Sequence, residues 1–329
     1  MNRAGLTALV IFAIGCSGEE QPTPPPPGSP VKESVLDNAP VMIGVGDIGV
    51  CGAQGDEATA AMVDSVLRVD SAANLPTIVF TLGDNAYPSG DRGVEDDFPR
   101  CFAPSWGKPR IMRVIHPSPG NHDYDSGSAE PYFSYFGARA GPPGKGYYSY
   151  DFAGWHIVSL NSEIMVGRDA AEAQEEWLRQ DLKDHPALCT LAYFHRPLFT
   201  SGSRGSNRQV LGLWDILYQA GADLVLNGHE HNYERFRPQT PAGVYDPVKG
   251  IEQIIAGTGG GDLRSFAYPL ARNSVVHIHG HFGVLKLMLG NGEYRHAFLD
   301  TQGRVWDPGG RKCHCKRGRR EAGGGRAFA

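Results

Sequence analysis

The sequence predicts a layered α/β domain, and three observations carry that expectation. Short apolar, β-branched runs recur along the chain, each bounded by Gly, Pro, Asn or Asp. Helical patterns lie between several of them. The 43 glycines and 24 prolines favour many turns and short strands over a helical bundle. The expected strands are Val41 to Val45, Thr77 to Leu82, Ile111 to Ile115, Tyr147 to Phe152, His156 to Leu160, Leu188 to Phe194, Asp223 to Leu226, Ile251 to Ala256, Phe282 to Leu289 and Tyr294 to Leu299. Ala58, Met62, Val66 and Val69 recur at helical spacing, as do Val210, Leu213, Trp214 and Leu217. Ala171 to Lys183 is rich in strong helix formers. The later strands have no helices between them. Strands that alternate with helices and then run on alone point to sheets covered by helices.

The 329 residues are 41% hydrophobic and 20% charged, which excludes global disorder. A formal charge of -5 argues against general binding to nucleic acid. With no internal repeat and no second linker, one domain over residues 41–300 is the economical reading. Residues 1–15 read as an export signal, with Arg3 before an apolar Leu6 to Ile14 stretch too short to span a bilayer. Ala13-Ile14-Gly15-Cys16 resembles a bacterial lipoprotein signal, which makes Cys16 a lipidation candidate; the alternative is an ordinary cleaved signal. Residues 16–40 form a Pro-rich tether. The chain is therefore expected to be exported to a bacterial cell envelope, lipid-anchored or periplasmic or secreted. In that oxidising setting Cys51 and Cys101 are disulfide candidates, whereas Cys189, in an apolar run, reads as a buried thiol. Residues 301–329 read as a basic, Gly-rich, disordered tail. Its Cys313-His314-Cys315 is spaced too tightly for a tetrahedral zinc site.

Polar groups follow five of the expected strands. They are Gly46-Asp47-Ile48-Gly49, Gly83-Asp84-Asn85-Ala86-Tyr87, Gly120-Asn121-His122-Asp123, His195-Arg196-Pro197 and Asn227-Gly228-His229-Glu230-His231. Ligands of α/β sheets gather at the carboxyl ends of strands, so the five loops are expected to converge. Asp47, Asp84, Asn121, His195, His229 and His231 offer only oxygen and nitrogen donors. Such a set suits iron, zinc or manganese. It holds too many ligands for one ion with an open position, and it suits two ions sharing a carboxylate. Each group alone is weak evidence, because Gly, Asp and Asn are common in turns; the ordered ensemble is specific.

This series resembles the calcineurin-like metallophosphoesterases. Tyr87, three residues after Asp84, and the run from Gly228 to Arg235 are similar to the purple acid phosphatase branch. The resemblance implies a four-layer αββα sandwich of two mixed sheets flanked by helices. It implies a ferric ion held by Asp47, Asp84, Tyr87 and His231, with Asp84 bridging to a divalent ion (Zn, Fe or Mn). Asn121, His195 and His229 would complete the second site, and His122 would contact phosphate and protonate the leaving group. Where other members carry further histidines after the lone His, this chain reads Ser201 to Arg208, which leaves Arg204 and Arg208 as candidate phosphate contacts.

The expected function is hydrolysis of small phosphate monoesters by in-line attack of a metal-bound hydroxide. One alternative is a phosphodiesterase or nucleotidase with the same centre. Another is a non-catalytic envelope lipoprotein using the scaffold to bind a partner. No nucleic-acid partner is expected, and membrane contact is expected only through an N-terminal lipid anchor. His277, His279 and His281, on alternate positions, read as a half-exposed strand end.

Overall fold

A computed structural model describes residue 36, residues 38–87 and residues 97–314. The expected signal, Cys16, nearly all of the tether and the chain beyond residue 314 lie outside the described residues. In chain order the strands are β1 (Val41–Val45), β2 (Thr77–Thr81), β3 (Ile115–His116), β4 (Tyr148–Phe152), β5 (Trp155–Ser159), β6 (Cys189–Tyr193), β7 (Leu224–Asn227), β8 (Tyr233–Gln239), β9 (Ile251–Ala256), β10 (Ser274–Ile278), β11 (Gly283–Gly290), β12 (Glu293–Asp300) and β13 (Val305–Lys312). The α-helices are α1 (Gly55–Ala72), α2 (Pro109–Val114), α3 (Glu130–Phe136), α4 (Arg168–Asp184) and α5 (Leu211–Ala220).

The strands form two mixed sheets, ordered β13-β12-β11-β1-β2-β3 and β10-β8-β9-β7-β6-β5-β4. Helices flank them, completing the four-layer α/β sandwich. Side-chain alternation assigns the faces. In β6, Leu191 and Tyr193 join the core shared by the two sheets, while Ala192, with Phe194 just after the strand, packs with α4 and α5 through Leu178, Leu213 and Trp214. In β7, Leu224 and Leu226 point inward and Val225 outward. Strands buried on both faces read as continuous apolar runs, which is why they were legible in the sequence. β1, β2 and β3 run parallel, as do β5, β6, β7 and β9. At the ends of these strands the amide of Gly46, after β1, donates to the carbonyl of Ala256 in β9 (2.9 Å). The carboxyl edges of both sheets therefore meet.

Four expectations are corrected. Ile111 to Ile115 is mostly helix: Pro109 opens α2 at a position where a missing amide costs nothing, and only Ile115 and His116 pair as strand. The buried stripe of α1 is Thr59, Ala60, Val63, Leu67 and Asp70, one position round from the expected face, leaving Val69 59% exposed. The domain does not end at residue 300. β13 pairs with β12 at the sheet edge, where Pro308 falls at a register shift and removes no ladder hydrogen bond. Finally, Cys189 is no free thiol: it is bonded to Cys313 (S–S 1.97 Å), which anchors the segment read as a disordered tail. Cys51 is bonded to Cys101 (S–S 1.98 Å). Two disulfides are characteristic of an oxidising compartment. No helix among the described residues is long and apolar enough to cross a membrane.

Candidate metal centre

The turns after β1, β2, β3, β6 and β7 bring their polar groups to the edge where the two sheets meet. Asp47, Asp84 and His229 all have positive φ (60°, 48° and 72°). A left-handed backbone at a non-glycine residue costs about 1–3 kcal/mol and concentrates at functional sites. The adjoining glycines make room. A Cβ on Gly83 would lie 2.7 Å from the His195 ring, and one on Gly120 would collide with Asp84.

Each aspartate uses one oxygen on a backbone amide and turns the other inward. Asp47 Oδ2 accepts from the His229 amide (2.8 Å), and Asp84 Oδ1 accepts from the His122 amide (2.8 Å). The inward Asp47 Oδ1 lies 3.0 Å from the Tyr87 hydroxyl and 3.2 Å from His231 Nε2; that hydroxyl and Nε2 are 3.1 Å apart. The inward Asp84 Oδ2 lies 3.4 Å from the Tyr87 hydroxyl and 3.2 Å from His195 Nε2. His195 Nε2 is in turn 3.1 Å from Asn121 Oδ1 and 3.1 Å from His229 Nδ1. Asp84 Oδ2 thus stands where two donor sets meet. One comprises Asp47, Tyr87 and His231; the other comprises Asn121, His195 and His229.

The outer shell decides what these atoms can do. His195 Nδ1 donates to the Leu82 carbonyl (2.8 Å), and His231 Nδ1 donates to the Asp262 carbonyl (2.7 Å). Both Nε2 atoms therefore present lone pairs inward, toward carboxylate and amide oxygens that are also acceptors. Acceptors facing acceptors inside a dry site require a positive charge between them. Burial opposes protonation of His195, but Asp84 raises it to about 9 and is itself held well below the usual carboxylate range by that imidazole. Burial, and then the positive neighbours His195 and Arg196, pull His229 down to about 2, leaving it neutral. Burial and the two carboxylates push the Tyr87 hydroxyl well above its ordinary value, so a tyrosinate here needs a cation beside it. The donor set fits hard or borderline metal ions.

His122 lies at the rim. Its Nε2 is 4.0 Å from Asp84 Oδ2, its ring centroid 4.6 Å from that of Tyr87, and its Nδ1 2.8 Å from Asp125 Oδ2. Arg204 Nη2 reaches within 3.4 Å of His231 Nε2. Arg208 does not join the cluster; it is exposed in the 3-10 turn Arg208–Val210. Supporting residues were missed in the sequence. Asp123, raised to about 7 by burial and by Asp84, accepts from the amides of Gly120 and Asn85 and ties the third loop to the second. Fully buried Glu230 accepts from the Arg204 amide (3.0 Å). Arg196 is paired to Glu163 (2.8 Å), and its Nη1 lies 3.4 Å from His229 Nε2. Asp123, Arg196 and Glu230 all sit inside the quoted runs, but nothing in their spacing revealed a partner.

The family model for calcineurin-like phosphoesterase matches residues 42–233. The chain is 29% identical to human acid phosphatase type 7 over 284 residues, covering 73% of this chain and 62% of that protein. It is 31% identical to Arabidopsis thaliana purple acid phosphatase 21 over 176 residues, covering 49% of this chain and 39% of that one. The chain thus spans less than two thirds of these relatives. In fold it is similar to the purple acid phosphatase PPD1 from yellow lupin seeds, with a TM-score of 0.65 at 20% identity over 84% of this chain and 54% of that one. With the ordered loops and their geometry, the matches make the chain a member of the calcineurin-like phosphoesterase family, in its purple acid phosphatase-like branch.

Proposed function

We propose that the chain is a metal-dependent phosphoric ester hydrolase, acid phosphatase-like, acting on small phosphate monoesters. In this reading Asp47, Asp84, Tyr87 and His231 hold a ferric ion, while Asp84, Asn121, His195 and His229 hold a divalent zinc, iron or manganese. When bound, such a pair supplies Lewis-acid charge to the phosphoryl oxygens and lowers the pKa of water. The rest is the work of the chain. The His122 and His229 amides orient the two carboxylates, and the Leu82 and Asp262 carbonyls fix the tautomers of His195 and His231. His122, with Nδ1 on Asp125, would hold a proton on Nε2 for the leaving oxygen. Arg204 would meet a phosphoryl oxygen as a charged donor. Relatives carrying the names acid phosphatase and purple acid phosphatase support this reading.

One observation carries the proposal: Asp84 Oδ2 stands where the two donor sets meet, with the bare Nε2 of His195 3.2 Å away and Asn121 Oδ1 3.1 Å beyond it, acceptors that a shared positive charge reconciles. The test is metal analysis and a visible spectrum of natively purified protein, with rates on 4-nitrophenyl phosphate and its bis-ester. Two ions per chain, colour and a faster monoester reaction support it. A faster diester reaction favours the phosphodiesterase alternative, and a metal-loaded chain inert on both favours the binding lipoprotein.

A further inference from the structure

Among the described residues, a second cluster of metal-ligating side chains lies away from the candidate centre, where α4 covers the edge of the seven-stranded sheet. In β5, Ile157 enters the core between the sheets, and Val158 packs on the helix side. His156, two residues before Val158, shares its face. In the β4–β5 hairpin Asp151 stands directly opposite His156, and Ser149 opposite Val158. From above, the buried stripe of α4 ends in Asp181, and His185 follows the helix. His156 pairs with Thr190 near the start of β6, whereas His195 of the candidate centre follows the end of that strand.

The side chains of His156 and Asp181 are 1% and 6% exposed, so what they hold is held out of water. His156 Nδ1 lies 2.9 Å from Asp151 Oδ1, and its Nε2 lies 2.9 Å from Asp181 Oδ2. Asp181 Oδ1 accepts from the Ser149 hydroxyl (2.6 Å) and lies 3.2 Å from His185 Nδ1. The two imidazoles stack, with centroids 5.1 Å apart and planes 9° apart. One carboxylate is thus shared by two imidazoles. Donor atoms of His156, Asp181 and His185 all fall within 4.8 Å of one another.

This arrangement has the parts of a three-ligand metal site. When His156 Nδ1–H donates to Asp151, Nε2 is left bare toward Asp181, the carboxylate–histidine pairing that orients metal-bound imidazoles. With both rings neutral, Asp151 and Asp181 carry two negative charges, the complement of a divalent cation. Two zinc–ligand bonds of ~2.0–2.1 Å at a tetrahedral angle set their donor atoms ~3.3 Å apart. The donor separations of 2.9 and 3.2 Å lie close to that value. Two imidazole nitrogens and a carboxylate oxygen suit zinc, and His185, 49% exposed, leaves the fourth position to water. We propose that His156, Asp181 and His185 bind a zinc ion, with Asp151 orienting His156, and that this ion pins the end of α4 to the β4–β5 hairpin. The proposal is independent of what the candidate centre binds.

The test strips the full chain with chelator, dialyses it against zinc buffered at micromolar free concentration, and counts bound zinc by elemental analysis. It is repeated for His185→Ala and Asp151→Asn. Both side chains are largely exposed (49% and 70%), so the variants keep the fold, which melting temperature checks. His185→Ala is expected to hold one zinc ion fewer per chain than the unaltered protein. Asp151→Asn is expected to weaken that ion's binding about tenfold or more. The candidate centre is the same in all three forms, so its own metal content cancels in the differences. Anomalous scattering at the zinc edge from crystals of the zinc-loaded chain should place an ion among His156, Asp181 and His185. Equal zinc content in the unaltered protein and His185→Ala would overturn the site, leaving a proton as what joins His156 to its carboxylates. Undiminished zinc affinity in Asp151→Asn would remove Asp151 from its orienting role.

Discussion

Stripping metal from this chain makes its stability fall with rising pH in a way that reports on the centre. In the protein alone, the charge that can reconcile His195 Nε2 with Asp84 Oδ2 (3.2 Å) and Asn121 Oδ1 (3.1 Å) is a proton. His195 is raised from 6.5 to about 9. A histidine raised on folding contributes stability that is fully present below its unfolded value and is lost as pH climbs through the folded one. The window therefore runs from 6.5 to about 9, and at 1.36 kcal/mol per pH unit the loss is about 3 kcal/mol. His231, raised chiefly by Asp47 against the opposing effect of burial, loses stability in the same direction. The depressed Asp84 acts only in acid and belongs to the same contact, so the pair counts once. A bound cation takes over the proton's role and flattens this slope. The assay is urea unfolding of chelated and metal-loaded protein at about pH 6 and about pH 9.5, where groups remote from the site cancel between the two forms. If both forms show the same pH slope, the seven side chains are not arranged around a cation.

Tyr87→Phe removes the hydroxyl that lies 3.0 Å from Asp47 Oδ1; the metal-loaded variant should lose its visible absorption, and retained colour refutes the tyrosinate assignment. His122→Asn should lower kcat roughly 10²–10⁴-fold on alkyl phosphates and less on 4-nitrophenyl phosphate, whose leaving group needs little protonation; equal losses on both would remove His122 from that role. Replacing Cys189 and Cys313 by Ser opens a link between residues 124 apart and should cost about 2–5 kcal/mol in urea unfolding, with the rate on 4-nitrophenyl phosphate unchanged below the transition.

What could be read from sequence follows how locally each feature is encoded. β1, β2, β6, β7 and β9 are buried on one or both faces and announce themselves as apolar runs. β8 does not, because its Arg235 is buried against carboxylates from other strands, Asp307 on the distant β13 (2.7 Å) and Glu252 on β9 (3.8 Å). A buried charge is legible only once its partner is known. β13 itself was hidden by Pro308, Gly309 and Gly310, which spell turn locally yet are tolerated at a sheet edge. The stripe of α1 was misread because Thr59 and Asp70 are buried on polar bonds, to the Gly259 carbonyl and the Thr77 hydroxyl, while Val69 stays in solvent.

By itself the sequence determined the order of the five site loops, the chemistry of the donor side chains and the turns that carry them, since glycine and aspartate act over a few residues. Only the folded chain decided which oxygen of Asp84 turns inward, which nitrogens of His195 and His231 are bare, and that Cys313 returns to Cys189. Those depend on contacts between segments tens to hundreds of residues apart, and local spacing holds no record of them.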